Sequence, residues 1–385
     1  MNKKLGLAVA GALLAASASA NAGIQIPAGD WTVDIGGVVN AYYTSTKTDG
    51  VKSVNNITTG LLPNYLAVSG KTRQNDLDIA FTISINPGAS TTHSGVQSAQ
   101  QENRQAFLTI GDAAWGSVKL GKDLGIYASD AILNDMTLLG VGNGAGALAG
   151  NTTTLGRIGG GFMYADWKSQ VAYTSPNWNG FQFTAGVTQA FDAQAASVAD
   201  SASTLRGGSE PAFEGKASYA FTADQVTGKV WVSGISQNVQ FNQSTSKRAD
   251  AWDLGANVNV AGFGLTGYYG QGSGLGTVVQ LSQGFDANKN ARDSEDWYVQ
   301  GTYTVPNLGT KLGVSYGESK LDGNGVDAYS QKTNEQWTVG AYHPLTKSVN
   351  LVAEYTNFDA KVNNKVLADT SVTSKTVSVG AILFF

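Results

Sequence analysis

The sequence predicts an all-β fold, a 16-stranded antiparallel transmembrane β-barrel with a long infolded third loop. Segments of about ten residues alternate between apolar and polar side chains, and a tilted strand needs about that length to cross a membrane. Strands of soluble sandwiches are usually shorter, at about 5 or 6 residues. Short turns alternate with long loops, and the chain ends on an apolar alternating segment. Together these features favour a closed barrel in a lipid bilayer.

The closing segment, 372–385, shows the clearest alternation. Val377, Val379 and Leu383 fall on one side of an extended strand, and Thr376 falls on the other. A core strand of a soluble β protein would alternate in the same way, so this segment alone leaves both interpretations open. In a barrel it would pair with the first strand and expose its apolar side to lipid.

The same alternation recurs along the chain. Trp252 and Leu254 share one face of a segment, and Asp253 lies on the opposite face. The polar faces carry mostly Thr, Ser, Gln, Asn and Gly, which would make a poor second core. The predicted strands are 31–46, 63–72, 76–87, 103–112, 116–123, 161–174, 181–191, 211–222, 228–241, 248–261, 263–272, 295–306, 310–321, 335–343, 349–361 and 372–385. The short turns include 175–180, 261–264 and 343–348, and the long loops include 192–210, 273–294 and 322–334.

The N-terminus has the pattern of a secretory signal peptide. Lys3 and Lys4 precede the apolar run 5–16, and Ala20 and Ala22 form an A-x-A cleavage site. The apolar run is too short for a spanning helix. We therefore expect residues 1–22 to be removed and residues 23–385 to form one exported barrel domain in the outer membrane of a Gram-negative bacterium.

Charge and composition argue against several other functions. The formal charge is −4, and loss of Lys3 and Lys4 would lower it to −6, which disfavours nucleic acid as a partner. The chain has no cysteine and only His93 and His343, so neither a metal site nor a Ser-His-Asp site is indicated. The run 156–161 lacks the βαβ setting of a dinucleotide loop. We expect no cofactor and no enzymatic activity.

The longest connection between predicted strands runs from about 124 to 160. Connections of this length are usually functional. Its apolar side chains, including Ile126, Ile132 and Val141, are too numerous for a disordered segment in water. We therefore expect this loop to fold into the lumen and to form the constriction.

Short motifs around this loop resemble those of the general trimeric porins. They are Gly121-Lys122 at the end of the fifth strand, Asp135-Met136 on the loop, the Gly-Arg-Ile-Gly-Gly run at 156–160, Arg104 early in the fourth strand, and the terminal aromatic Phe385. The resemblance covers the whole mature chain in layout. It implies a homotrimer of water-filled channels for passive diffusion of small hydrophilic solutes and ions. It also implies that the outer-membrane assembly machinery reads Phe385, and that lipid and lipopolysaccharide surround the barrel.

The chain departs from the family pattern at the constriction. Leu138 and Leu139 occupy the stretch where the family often has a glutamate, and Tyr65 stands where it often has a further arginine. The constriction therefore carries fewer charges than is typical of the family, and its ion preference stays open.

An acid on an infolded loop opposite bases on the wall creates a transverse field in a narrow passage. We assign the loop acids as Asp130 and Asp135. The assigned wall bases are Arg104, Lys122 and Arg157, with Lys119 and Lys71 as second choices. The alternative is that these residues form structural ion pairs that pin the loop to the wall.

The faces of the fourth strand bear on the oligomeric state. If Arg104 faces inward, Ala106, Leu108 and Ile110 do so as well, which reverses the pattern of a lipid-facing strand. A protein-covered outer face would explain this reversal, as in a trimer contact. The alternatives to a general channel are a substrate-selective outer-membrane channel and, with less support, a structural or adhesive barrel.

Overall fold

The computed structural model describes residues 23–90, 101–144, 153–191, 210–242 and 245–385. The predicted signal peptide, the loop 192–210 except its last residue, and His93 lie outside this part of the chain. Nineteen strands and two short helical segments are present within it. None of the helices found there is long and apolar enough to cross a membrane.

The strands are β1 (Ile24–Ala28), β2 (Trp31–Thr48), β3 (Val54–Thr58), β4 (Tyr65–Gln74), β5 (Leu77–Pro87), β6 (Gln101–Glu102), β7 (Ala106–Asp112), β8 (Gly116–Leu124), β9 (Trp167–Thr174), β10 (Phe181–Thr188), β11 (Ala212–Ala223), β12 (Val226–Asn242), β13 (Thr245–Val260), β14 (Phe263–Ser273), β15 (Asp293–Thr304), β16 (Lys311–Asp322), β17 (Tyr329–Pro344), β18 (Val349–Asn364) and β19 (Thr370–Phe384). The helical segments are α1 (Ser129–Asn134) and a 3₁₀ turn (Met136–Leu139).

Sixteen of these strands close into an antiparallel barrel, which confirms the predicted fold class. Every strand except the short β1, β3 and β6 pairs with the next barrel strand along the chain. The last strand then pairs with the first, from Ser374 opposite Thr48 to Phe384 opposite Val38. Closure pairs the backbone N–H and C=O groups at both edges of the sheet, as a β structure inside lipid requires.

The two ends of the described chain meet at one rim. Residues of β1 pair with Trp31–Ile35 of β2, in line with the end of β19. The backbone N–H of Gly37 donates to the carbonyl of Phe385 at 2.9 Å, and Phe385 N donates back to Gly37 O at 3.2 Å. The terminal aromatic residue is therefore tied into the first strand.

The outer face of the barrel is apolar and the lumen face is polar. Val377 is 48% exposed, and Val379 and Leu254 are exposed with it, whereas Thr376 and Ser378 are buried against the contents of the lumen. The alternation predicted for the closing strand is therefore confirmed. It follows from the period of two along a strand that separates lipid from a polar interior.

The strands predicted at 335–343 and 248–261 begin earlier than predicted, at Tyr329 and Thr245. Two other predicted strand starts are wrong in the opposite direction. The strand predicted at 161–174 begins at Trp167, because the preceding residues belong to the returning loop, where Gly159 and Gly161 adopt positive φ values of 71° and 150°. The strand predicted at 103–112 begins at Ala106. Both errors arise where a loop enters or leaves the wall, and alternation does not mark such points.

The late start of β7 removes the parity argument for a trimer. Arg104 precedes the strand and does not fix its faces. Leu108 is 41% exposed on the outside, and Phe107 is 5% exposed and points inward. The strand therefore has the ordinary apolar-out arrangement, and the inferred reversal is wrong.

The two rims of the barrel differ as predicted. One rim carries short turns, such as Asn75 and Asp76 with φ of 48° and 62° between β4 and β5. Positive φ at both central residues matches the twist of a two-residue hairpin. The other rim carries the long loops. We call these the short-turn rim and the long-loop rim.

The apolar core lies inside the barrel. Leu61, Ile132, Met136, Ile158 and Phe162 form a buried cluster with aromatic residues of the wall. They belong to a segment that follows β3 and to the long connection between β8 and β9. The lumen is therefore partly filled by the chain itself.

Candidate pore constriction

The connection 125–166, called the infolded loop below, lies inside the barrel in its described parts, 125–144 and 153–166. Its beginning is held by Glu214 of β11. One carboxylate oxygen accepts the backbone N–H groups of Ile126 at 2.8 Å and Tyr127 at 2.9 Å. The other accepts Lys168 Nζ at 2.7 Å and Thr188 Oγ1 at 2.8 Å. Both charged side chains are shielded from solvent, so this anchor is a fully satisfied buried ion pair.

A second carboxylate, that of Glu354 on β18, holds the infolded loop again at residues 141–142, near its middle. Its Oε2 accepts the N–H groups of Val141 and Gly142, each at 2.8 Å, and its Oε1 accepts Tyr342 Oη at 2.6 Å. A Cβ atom at Gly140 would lie 2.1 Å from Oε1. The wall can approach the loop this closely only because residue 140 is glycine.

The stretch between these two anchors is held by neutral groups of β15. Gln300 Oε1 accepts the N–H of Met136 at 2.6 Å, and its Nε2 donates to Asn134 O at 3.0 Å. Tyr298 Oη donates to Ala131 O at 2.9 Å. These bonds satisfy carbonyl groups in the last turn of the short helix α1 and the N–H group at the start of the 3₁₀ turn.

Asp130, one of the two predicted loop acids, contacts wall bases. Its carboxylate pairs with Lys216 Nζ at 3.2 Å and with Lys229 Nζ. The Asp130 side chain is 4% exposed, and the two lysines are 25% and 34% exposed. Burial alone would raise the pKa of Asp130, but the two ammonium groups hold that pKa below its usual range.

Asp135, the other loop acid, is turned into the loop. It caps the 3₁₀ turn, since its carboxylate accepts Thr137 N at 3.0 Å and also Thr137 Oγ1. Burial raises the pKa of Asp135, and the nearby Arg157 opposes this shift. The two acids predicted together therefore occupy different electrostatic environments.

Arg157 lies beside Asp135, but it is completely buried. Its guanidinium donates to Gly160 O at 3.0 Å, to Gln336 O at 3.1 Å and to Ser315 Oγ. These partners belong to the loop and to β16 and β17. The position of Arg157 matches the alternative assignment, in which a charged residue pins the returning loop to the wall.

Arg104 is placed against the infolded loop and not opposite Asp135. Its Nε donates to Glu102 Oε2 at 2.7 Å, and its guanidinium carbon is 5.7 Å from the Trp167 ring centroid. It adjoins Leu133 and Tyr164 in a small apolar gap. These contacts position the root of the loop.

The three predicted lysines are separated from one another. Lys122 pairs with Ala106 and shares the outer face with Leu120, so the structure places it outside the lumen. Lys119 points inward and is paired with Asp123. Lys71 lies on the inward face of β4, near the short-turn rim. The parity of Leu120 already carried the signal that separates Lys119 from Lys122.

Three wall lysines at the infolded loop were missed by the sequence analysis: Lys216, Lys229 and Lys311. Exposed apolar residues on the same strands indicate the inward face: Leu312 and Val314 are exposed on the outside, which turns Lys311 inward, and Val230 and Val232 do the same for Lys229. The alternation thus indicates their face. Their proximity to the loop depends on its path across the lumen, which no local pattern encodes.

A second long loop also packs into the interior. The sequence indicated 273–294 only as a polar connection. Val278 O accepts Tyr164 N at 3.0 Å. Gln280 Nε2 donates to Ala165 O at 3.1 Å, and its Oε1 accepts Lys168 Nζ at 2.9 Å. This loop supports the return of the infolded loop from the long-loop rim.

Of the two histidines, only His343 lies within the described residues. His343 Nδ1 lies 2.8 Å from Thr310 Oγ1 at the short-turn rim. Within the described residues, no three His, Cys, Asp or Glu side chains are grouped to hold a metal ion.

A closed barrel with an apolar outside, a polar lumen and an anchored inner loop defines a transmembrane channel. The family model for Gram-negative porins matches residues 7–363, and the chain belongs to this family. No curated protein matches the chain significantly.

Similar solved structures share the fold. The outer membrane channel DcaP of Acinetobacter baumannii has a TM-score of 0.66 at 17% identity, covering 95% of this chain and all of DcaP. OmpF of Salmonella typhi, solved with daunomycin, has a TM-score of 0.61 at 16% identity, covering 94% of this chain and all of OmpF. A trimer form of OmpT of Vibrio cholerae has a TM-score of 0.52 at 15% identity, covering 92% and 99%.

Family and fold place the protein in the outer membrane of Gram-negative bacteria as a multi-pass channel for passive diffusion. The predictions of family, fold, localisation and channel function are confirmed. By the usual arrangement of such barrels, the short-turn rim faces the periplasm and the long-loop rim faces the exterior.

Proposed function

We propose that small hydrophilic solutes and ions pass the infolded loop at the narrowest part of the lumen. The observation that carries this proposal is the double anchorage of the loop by Glu214 and Glu354, on opposite parts of the wall. The stretch 126–142, held at both ends by buried carboxylates, stays in the lumen while solutes pass. Most charged groups at the loop then serve to hold it in place. Asp130 and its two lysines lie nearest to the lumen water.

Removal of most of 126–149 tests this proposal in planar bilayers. The single-channel conductance should rise severalfold, because the lumen of a 16-stranded barrel is wide without an inner loop. Deletion of the exposed turn residues Val366 and Leu367 is the control and should leave conductance unchanged. Equal conductance of the loop-deleted and unmodified channels would place the constriction elsewhere.

We also propose that the channel assembles as a homotrimer of three separate pores. The support is family membership and the trimer form of the similar OmpT structure. The purified protein should run as a large species in SDS that collapses to a monomer on boiling. Bilayer currents should close in three equal steps, and closure in one step from a monomeric species would refute the trimer.

Two further roles concern export and assembly. Residues 1–22 are removed as a signal peptide, and Phe385 is the residue that the outer-membrane assembly machinery reads. The support for the second role is the exposed position of Phe385 beside the first strand. Mass spectrometry of the mature protein should give an N-terminus at Gly23, and Phe385→Ala should lower the amount of assembled barrel. The apolar outer face contacts lipid, with lipopolysaccharide toward the exterior.

A further inference from the structure

A chamber lies on the short-turn side of the infolded loop. Its volume is about 400 Å³, and it is bounded by the loop and by strands β13 to β16. Asp135 and its neighbours form the roof, and the walls present Asn257, Asn259, Gln300 and Lys311. Amide and hydroxyl groups dominate the polar lining, so the chamber can exchange hydrogen bonds with a hydrated solute.

The charges around this chamber are mainly positive. Lys311 lines it directly, and it makes no ion pair within the described residues. Lys229 is the direct cross-strand neighbour of Asn257. Lys216 and Lys229 both pair with Asp130. Against these three lysines stand two acids, Asp130 and Asp135.

Both acids are already engaged by the protein. Asp130 is shared between two lysines, and the Asp135 carboxylate accepts two hydrogen bonds from Thr137. The two lysines therefore compensate the charge of Asp130, and the Asp135 carboxylate is turned toward Thr137, whereas the Lys311 ammonium has the Tyr342 ring at 5.2 Å as its close neighbour. The electrostatic potential inside the chamber is therefore positive on balance, which attracts anions.

Two further carboxylates of the wall lie beyond the loop. Asp253 and Asp296 are buried on the long-loop side of Asn257 and Gln300 along their strands. Asp253 accepts Ser233 Oγ at 2.7 Å, and that hydroxyl oxygen accepts Ala128 N at 3.1 Å. The start of α1 therefore separates Asp253 from the chamber, so this acid does not line it.

We propose that the chamber is a binding station for small oxyanions, carboxylates or phosphates, and gives the channel a preference for anions. Lys311 supplies the charge, and the amide groups of Asn257, Asn259 and Gln300 supply donors to the anion's oxygens. This inference rests on the proposed passage of solutes past the infolded loop. It adds the substrate class, which neither the fold nor the family determines.

The first test is the reversal potential of single channels in a gradient of dilute potassium chloride. The unmodified channel should favour chloride, and Lys311→Gln should lower the anion-to-cation permeability ratio about threefold, since one unpaired charge is lost from a poorly screened space. Lys320→Gln is the matched control. It removes the same charge from the outer face of the same strand, and the permeability ratio should not change.

The second test uses inorganic phosphate and succinate as probes, added from the short-turn side. Either anion should reduce chloride current in the unmodified channel at millimolar concentration, and Lys311→Gln should weaken this block severalfold. Block by only one anion identifies the preferred oxyanion. Folding of each variant is checked by its heat-dependent shift in SDS gels.

Three results would overturn the proposal: a cation-selective unmodified channel, equal reversal potentials for Lys311→Gln and Lys320→Gln, or no block by either probe. The loop deletion described above separates these failures from failure of the constriction itself. If the deletion raises conductance and the anion tests fail, the loop narrows the lumen but the chamber does not select anions.

Discussion

The infolded loop has a stretch between its two carboxylate anchors, 126–142, whose two halves use similar charged residues in opposite ways. In the first half, Asp130 contacts lysines that are a quarter to a third exposed, so its charge is felt in the lumen. In the second half, Asp135 bonds to Thr137, and the wall acid Glu354 bonds to backbone N–H groups of the loop and to Tyr342, so these partners are themselves buried. The exposure of the groups that pair with a carboxylate, and not its position along the loop, decides whether the carboxylate can act on a passing ion.

The largest expected effect concerns the two anchors. Glu214→Gln leaves the Lys168 ammonium buried without a carboxylate and should cost about 3–5 kcal/mol of unfolding free energy. Glu354→Gln loses charge-assisted hydrogen bonds but leaves no buried cation without a carboxylate, and should cost about 1.5–3 kcal/mol of unfolding free energy. Denaturant unfolding of the refolded barrel measures both.

Glu335→Gln is the control for this comparison. Glu335 pairs with Lys361 at 2.5 Å on the outer face, and an exposed pair contributes about 1 kcal/mol or less. If Glu354→Gln were more costly than Glu214→Gln, the ion pair with Lys168 would not be the stronger anchor.

The sequence predicted the barrel well because the apolar side chains of its outer face recur at every second residue along a strand. Exposed residues such as Val377 and Leu254 alternate with polar ones, and lipid enforces that pattern along every strand. The apolar character of the long connection also predicted that it folds inward.

The site was predicted less completely. Asp130 and Asp135 were located on the loop, and Arg157 was placed near Asp135, but Lys122 points outward and Arg104 packs at the loop root. The contact between Asp130 and Lys216 joins residues 86 positions apart. Such a contact depends on how the loop crosses the lumen, and therefore on the whole barrel.

A smaller effect is expected at the point where the loop comes closest to the wall. Gly140→Ala places a methyl group 2.1 Å from Glu354 Oε1, so the second half of the loop must shift. Overpacking of this kind costs about 1–3 kcal/mol. Protease digestion and open-channel current noise should both increase.

Gly325→Ala provides the matched control, since nothing lies within 4 Å of a Cβ added at that exposed turn. It should leave digestion and noise unchanged. If Gly140→Ala behaved in the same way, the second half of the loop would be less tightly packed than its contacts imply.

Acidification should also distinguish the two acids. The lowered pKa of Asp130 keeps its pairs with the lysines intact until the pH falls below the ordinary carboxyl range of about 4. Because burial raises the pKa of Asp135, its ionised form destabilises the folded protein. This loss of unfolding free energy appears as the pH rises from the unfolded-state pKa toward the folded-state pKa.

Lowering the pH from 7 to about 5, toward the unfolded-state pKa, should therefore stabilise the unmodified barrel slightly through Asp135. Asp135→Asn should reduce that gain while keeping the cap, since asparagine also caps well. Unfolding midpoints at the two pH values test this. An unchanged gain in Asp135→Asn would assign the effect to another group.

The account is tested most directly by the reversal potentials of Asp130→Asn and Asp135→Asn, measured side by side in one dilute salt gradient. Both substitutions remove one negative charge from the same loop. Asp130→Asn should shift the potential toward anions, because it releases two partly exposed lysines into the lumen, and Asp135→Asn should shift it much less. Equal shifts, or a larger shift for Asp135→Asn, would contradict the division of the stretch 126–142 into a half whose charges reach the lumen and a half whose charges are enclosed by buried partners.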